Sequence, residues 1–350
     1  MRNLFFKSIE FFFFKQYNIN EMLEEWLLRV MFLEEEGILV VEIYKTIENK
    51  LVRLDEFEDG AWINITDPSM EELEIIEKKF KIEHSYLTAA MDTEERSRIE
   101  VNDEGQTLVI VDVPAIEKRE EVTIYNTVPL SIIMLPTAII TVCSEENSVI
   151  NNFTDNRVKG FYTNYKNRFV LQILYRGSYT FVRYLRHIDK ITDRVEKQIY
   201  KSMGNEELFD LLALEKSMVY FATSLKANEL VLEKMLKLEY LKQYPDDMEL
   251  LEDVIIENKQ AIEMTNIFRG ILSSTMDAVA SIISNNVNNV MKFLTSVTIL
   301  ITIPTLITSF FGMNMHLPLA DKPYSYLIVI GISALICAFP LYFLYKRKMF

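Results

Sequence analysis

The sequence predicts an α+β domain, then long helices, then two C-terminal transmembrane helices. Three observations predict it. Short runs rich in Val, Ile, Thr and Tyr follow residue 37, and apolar residues at helical spacing dominate from about Tyr165. Two stretches without a charged residue, 293–311 and 326–345, then lie near the C-terminal end.

The β-rich runs cover 38–44, 62–65, 107–113, 122–133 and 138–143, each composed as strands are. Among them Asp67-Pro68, with Glu71 and Glu72 after it, reads as a helix start. Asp accepts from orphan N–H groups, Pro suits the first helical position, and the acids complement the helix dipole. Residues 37–160 therefore form the α/β domain. Residues 1–36 are apolar but broken by Lys7, Glu10 and Lys15, too short and too charged for a span. They read as an extension without stable structure, with Met22 or Met31 as alternative starts.

Residues 161–245 carry two helical patterns, 165–203 and 206–243, separated by Gly204-Asn205 and closed by Tyr244-Pro245-Asp246. Helices this long exceed the globular norm, which suggests an antiparallel coiled hairpin. After Asp246 no Pro occurs until Pro304, so residues 246–311 read as one helix entering the first span. Gly270 is a weak interruption.

Each uncharged stretch approaches the roughly 20 residues that cross a bilayer. Lys292 precedes the first, and Lys346, Arg347 and Lys348 follow the second. The connection 312–325 holds only Lys322 among basic residues, beside Asp321. The positive-inside rule puts both ends in the cytoplasm, the connection outside, and the basic tail 346–350 inside, at a cell or inner membrane.

The polar residues of the first span are ordered. Asn288, Met291, Thr295, Thr298, Thr302, Thr305, Ser309 and Gly312 are spaced alternately by three and four residues. They share one helix face and repeat every seven residues, the period of a left-handed bundle. The register continues backward through Ser284, Ser281, Asp277, Ser274 and Gly270. The stripe is thus roughly 65 Å long at 1.5 Å per residue. Small and hydroxyl residues also serve close helix packing in lipid, so packing and a wet lumen both fit the span. Asp277 and the amides Asn285, Asn286, Asn288 and Asn289 favour the lumen. One chain supplies one such helix, so a pore requires a homo-oligomer. Pro304 removes one backbone hydrogen bond, and the freed carbonyl of Leu300 needs water or a Thr hydroxyl.

Beyond the stripe the sequence reads Phe310-Phe311-Gly312-Met313-Asn314. This resembles the Gly-Met-Asn signature of the CorA family of magnesium and divalent-cation transporters, at the mouth of the first of two C-terminal spans. The resemblance covers the chain from about residue 40 onward. It implies a funnel-shaped homopentamer whose long helix is a stalk lining the pore. Gly312, Met313 and Asn314 would form the selectivity filter at the pore mouth, with Asn314 offering a ring of amide oxygens to a hydrated ion. Asn288 would make an inner ring, Met291 matches the family's apolar constriction, and Leu294 lies beside the stripe. Two departures stand out. The family's acidic outer-loop element is replaced by Met315-His316-Leu317-Pro318-Leu319, leaving Asp321 as the loop acid. Of the regulatory metal sites, Asp253 matches one partner, whereas the expected acid is Ala89, with Asp92 nearby.

The implied function is passive influx of hydrated Mg2+, which is the cargo and also a candidate regulatory ion. Cobalt, nickel or zinc transport on the same scaffold is the related alternative, with His316 and Met315 as softer donors. A membrane-anchored sensor or scaffold that conducts nothing is the alternative of another class. The net charge of -14 argues against nucleic acid as a partner. Cys143 and Cys337 are far apart, and His84, His187 and His316 do not cluster, so neither a disulfide framework nor a zinc enzyme emerges. No phosphate-cradling loop and no organic cofactor motif appears, and no nucleophile–base pair suggests an enzyme. Arg96 and Arg98 read as salt-bridge anchors.

Overall fold

The computed structural model describes residues 41–103, 105–119, 122–202, 205–238, 244–313 and 324–346, so the extension 1–36 lies outside it. Contacts divide the chain into two units, 1–273 and 274–350.

In the first unit, seven strands form one sheet: β1 (Val41–Ile47), β2 (Lys50–Leu54), β3 (Ala61–Thr66), β4 (Arg98–Val101), β5 (Thr107–Arg119), β6 (Val122–Met134) and β7 (Ala138–Cys143). Their order is β2-β1-β3-β7-β6-β5-β4, and all pairs are antiparallel except β3 with β7, aligned Ala61↔Ala138 through Thr66↔Cys143. Both faces are covered, which is why the central strands are apolar at nearly every position. On one face Ile63, Ile65, Ile110, Ile140 and Val142 meet Leu73 and Ile76 of α1 (Met70–Phe80) and Leu87 of α2 (His84–Thr88). On the other, Trp62, Val111, Leu130 and Ile139 meet three further helices. These are α3 (Ser148–Thr154), α4 (Lys166–Ser202) and α5 (Asn205–Met235). Trp62 anchors that face. Its indole Nε1 donates to Thr141 Oγ1 at 2.8 Å while its ring meets the edge of Phe169 at 5.2 Å.

Three local expectations are corrected. Helix α1 is capped by Ser69 rather than Asp67. Ser69 accepts from the Glu72 N–H, and the Glu72 carboxylate accepts in return from the Ser69 N–H, a capping box. Asp67 has φ 51°, and the helix begins at Met70, two residues after Pro68. The second long helix ends at Met235, well short of residue 243. The helical pair also packs on the sheet, with Phe169, Ile173, Val231 and Leu232 in its core. The apolar spacing that suggested a coiled hairpin serves a helix-on-sheet layer equally well. The strands β2 and β4, unforeseen, are short outer strands with charged residues, which weakens their signal.

The sheet edge beyond β4 is closed by a side chain. β4 pairs with β5 only as far as Arg98↔Ile110. At the next residues Asn228 of α5 takes over: Oδ1 accepts from the Asp112 N–H at 2.9 Å, and Nδ2 donates to the Asp112 carbonyl at 2.8 Å. The same Oδ1 accepts from Ser97 Oγ at 3.0 Å. Helix α6 (Pro245–Phe311) then starts against α5. Leu251, Val254, Asn258, Ala261 and Thr265 are buried at steps of three and four, and Asn258 Nδ2 donates to the Leu225 carbonyl at 3.2 Å.

The second unit holds the rest of α6 and α7 (Ser325–Lys346). The end of α6 and residues 326–344 are long and apolar enough to cross a membrane. α6 runs unbroken through Pro304. On it Ser296 and Ile307 are buried, with Leu300, Ile303 and Phe311 half-covered, again at steps of three and four.

Asn228→Leu leaves a buried strand N–H and C=O unpaired, each a desolvation cost. The variant is expected to unfold about 3 kcal/mol more easily, read as a denaturant midpoint by circular dichroism. An unchanged midpoint would show that Asn228 does not seal this edge.

Candidate ion pathway

The stripe residues Asn288, Met291, Thr295, Thr298, Thr302, Thr305 and Ser309, with Leu294 beside them, are on α6, Gly312 follows its last residue, and all are exposed in the isolated chain. The covered face, Ser296 to Phe311, is a different one. In a single chain the polar face is uncovered, as are Phe293, Ile301, Leu306 and Phe310 beside it. Asp277 is exposed on the same helix, its carbonyl accepting from Ser281 Oγ at 2.9 Å.

The hydroxyls are oriented by their own helix. Thr295 donates to the Met291 carbonyl at 2.7 Å, Thr298 to Leu294 at 2.8 Å, Thr302 to Thr298 at 2.7 Å and Thr305 to Ile301 at 2.8 Å. A threonine has one proton to donate, and in each case it is spent on the carbonyl four residues back. What remains outward is the oxygen's accepting lone pairs. At the threonines, acceptors facing outward can receive the protons of water around a cation.

Pro304 leaves the Leu300 carbonyl without its helical donor. The expected rescuer was water or Thr. Cys337 of α7 places Sγ 4.0 Å from that oxygen. A thiol is a weak donor, yet in lipid it is the alternative to an unmet carbonyl. Sequence reading missed Cys337 because nothing local ties it to Leu300; only the packing of α7 does. Thr308 donates to Pro304 and Thr305 carbonyls at 2.9 and 3.1 Å, tightening the last turns.

The helix ends at Phe311. Gly312 N–H donates to the Thr308 carbonyl at 2.9 Å, and a Cβ at Gly312 would meet that oxygen at 3.3 Å. Met313 is half exposed, while Asn314 and Asp321 lie outside the described residues.

The expected regulatory acids both lie on the surface of the chain. Asp253 is exposed on α6, and exposed Asp92 uses Oδ1 to accept from the Glu94 N–H at 2.9 Å. Ala89, where an acid was expected, is 5% exposed inside the core, so a carboxylate there would be desolvated. Arg98 bridges Glu95 and Glu100 at 2.5 and 2.6 Å, the structural role read for it. Among the described residues no group of three or more His, Cys, Asp or Glu gathers in one chain.

An α+β domain, a long helix with a hydroxyl-lined face through an apolar segment, and a second apolar helix define a two-span membrane protein. The family described as CorA-like Mg2+ transporter protein matches residues 57–347, and the chain belongs to that family. Its two C-terminal apolar helices are accordingly membrane spans. The chain is 32% identical over 314 residues to the cobalt/magnesium transport protein CorA of Methanocaldococcus jannaschii, covering 85% of this chain and 95% of that protein. It is similar to the complete structure of the CorA magnesium transporter from the same organism. The TM-score is 0.72 at 28% identity, covering 89% of this chain and 98% of the other. It is also similar to the soluble domain of that protein, with TM-score 0.62 and 26% identity over 71% of this chain and 99% of the other.

If Cys337 holds the Leu300 carbonyl, its worth depends on Pro304. Cys337→Val should lower thermal stability in detergent by about 0.5–1 kcal/mol. In a Pro304→Ala background, where the backbone donor returns, the same change should cost almost nothing. Equal costs in both backgrounds would show that the thiol acts only by packing.

Proposed function

We propose that the chain is one subunit of a homopentameric channel carrying hydrated divalent cations, Mg2+ foremost, passively into the cell. The supporting observation is the α6 stripe: a hydroxyl and amide face, exposed in one chain, whose threonine protons are all turned inward. Copies of α6 around an axis turn such faces into a lumen of acceptors suited to a hydrated cation. Neutral oxygens hold a hydrated Mg2+ without stripping its reluctant waters.

In this reading Asn314 forms the outer ring with Gly312 and Met313 shaping its backbone. Asn288 forms the inner ring, while Met291 and Leu294 form the apolar constriction. Thr295, Thr298, Thr302, Thr305 and Ser309 line the path between, and Asp277 attracts cations further in. Asp321 is the acid near the mouth. Asp253 and Asp92 of neighbouring copies serve as the acids of a regulatory metal site, consistent with their exposure. Both termini are cytoplasmic, by the flanking basic residues. The driving force is the membrane potential, worth about 4.6 kcal/mol per 100 mV to a divalent ion, so no nucleotide site is required. A second reading, cobalt as cargo, is favoured by one observation, the cobalt/magnesium name of the 32%-identical relative.

Uptake into proteoliposomes of Mg2+, Co2+ and Zn2+ separates these readings. The wild type is expected to favour Mg2+. Asn314→Ala should reduce its flux about tenfold or more with the oligomer intact, as for losing a charge–dipole contact of about 1.5 kcal/mol. Unchanged flux would remove Asn314 from the filter, preference for Co2+ would change the cargo, and no flux of any ion would leave a scaffold.

A further inference from the structure

The chain carries a net charge of -14, yet α4 holds nine basic and three acidic residues. Its surplus is concentrated on one face. Arg183, Arg186, Lys190, Arg194 and Lys197 are all exposed, at helical steps of three and four. None of them forms an ion pair with another described residue. Arg183 lies over the Tyr184 ring at 5.3 Å, which orients the guanidinium without neutralising it. Among the acids of α4 only Asp193 is exposed, while Asp189 and Glu196 are half-covered.

The fold fixes where this face points. Phe181, Leu185 and Ile188, on the opposite side of α4, are buried, and Phe181 meets Phe221 of α5 at 5.0 Å. Helix α5 is itself bonded to the β5 edge through Asn228. The basic face is therefore turned away from α5, toward the side of the sheet that carries β1, since β1 and β5 lie on opposite sides of β7. It also stands at the end of the sheet where β1 begins. Val41 is aligned with Ile65, and Ile65 with Val142 near the end of β7. Just past β7, Ser148 Oγ lies 3.0 Å from the hydroxyl of Tyr184, the neighbour of Arg183. Strands β1 and β7 are separated by β3 alone, which sets them roughly 10 Å apart.

The chain that leads into Val41 has the complementary charge. Residues 19–36 hold Glu21, Glu24, Glu25, Glu34, Glu35 and Glu36 against a single basic residue, Arg29. The stretch from Glu36 to Val41 bridges up to roughly 17 Å when extended, enough to bring Glu34–Glu36 from the start of β1 to α4. The family match begins at residue 57, so this acidic segment lies outside what the family shares.

We propose that the acidic segment 19–36 docks on the basic face of α4 in the same chain. Glu34, Glu35 and Glu36 meet Arg183 and Arg186, and Glu24 and Glu25 meet Lys190, Arg194 and Lys197 further along the helix. The segment runs from the start of β1 along α4 as an electrostatic strap. A highly charged extension with no core of its own gains its place from such a surface. The proposal goes beyond the channel reading and does not depend on which ion is carried.

The test joins contacting amines and carboxylates of the full chain in detergent with a carbodiimide and maps the linked peptides by mass. Lys190 or Lys197 should be joined to Glu24, Glu25 or Glu34–Glu36 in a product of one chain's mass. Absence of these links would overturn the strap, and finding them only in a product of two chains would assign the face to a second copy and overturn it too. A second measurement is hydrogen exchange of residues 19–36. R183E/R186E/K190E should speed it about tenfold. Adding E24K/E35K/E36K should return it to within about threefold, because the exchanged pairs attract again. High salt should speed the wild type in the same direction. Unchanged exchange in the α4 variant, or no recovery on combining the sets, would overturn the proposal. Adhesion to phosphatidylglycerol vesicles that the α4 variant loses, in a wild type without the links, would assign the face to a lipid surface and overturn the strap.

Discussion

In hydrocarbon every polar group must find its partner inside the protein, and α6 has to meet that constraint while carrying hydroxyls and a proline through the membrane. It does so residue by residue. Threonine protons go to carbonyls four residues back, so the stripe costs the helix no unmet donor. The carbonyl that Pro304 orphans lies within reach of Cys337 on the second span. The consequence is chemical as well as structural. Along the threonine positions the helix absorbs its own hydroxyl protons and leaves acceptor lone pairs outward.

The α+β unit meets a parallel constraint in water. Its sheet is buried on both faces, so its polar backbone must be closed at the edges. Asn228 does this where β4 stops, bonding both backbone groups of Asp112 as a further strand would. α5 thereby seals the sheet with one residue and receives the start of α6 along Leu251, Val254 and Ala261. Trp62, held by Thr141 and Phe169, fixes the layer between sheet and helices.

Much of this was legible in the sequence for physical reasons. Central strands buried on both faces are continuous apolar runs, and the spans lack charge over their full length. The α6 stripe follows helical arithmetic alone. What was hidden depends on partners far along the chain. β2 and β4 are outer strands whose charges dilute their pattern. Ser69 outcompetes Asp67 as a cap because Glu72 can reciprocate. The spacing of α4 and α5 could not distinguish a helix partner from a sheet. Cys337 looked like a lone cysteine until α7 packed it beside Leu300.

The central claim is that the α6 stripe is wet. It is tested most directly by single substitutions Thr298→Cys, Thr302→Cys, Thr305→Cys, Ile303→Cys and Ile307→Cys in membranes. Each would be treated with a membrane-impermeant cationic thiol reagent during cation flux, with the unsubstituted chain, holding Cys143 and Cys337, as baseline. The account predicts modification and loss of flux at 298, 302 and 305, and neither at 303 and 307. Equal reactivity around the helix, or modification confined to 303 and 307, would contradict it.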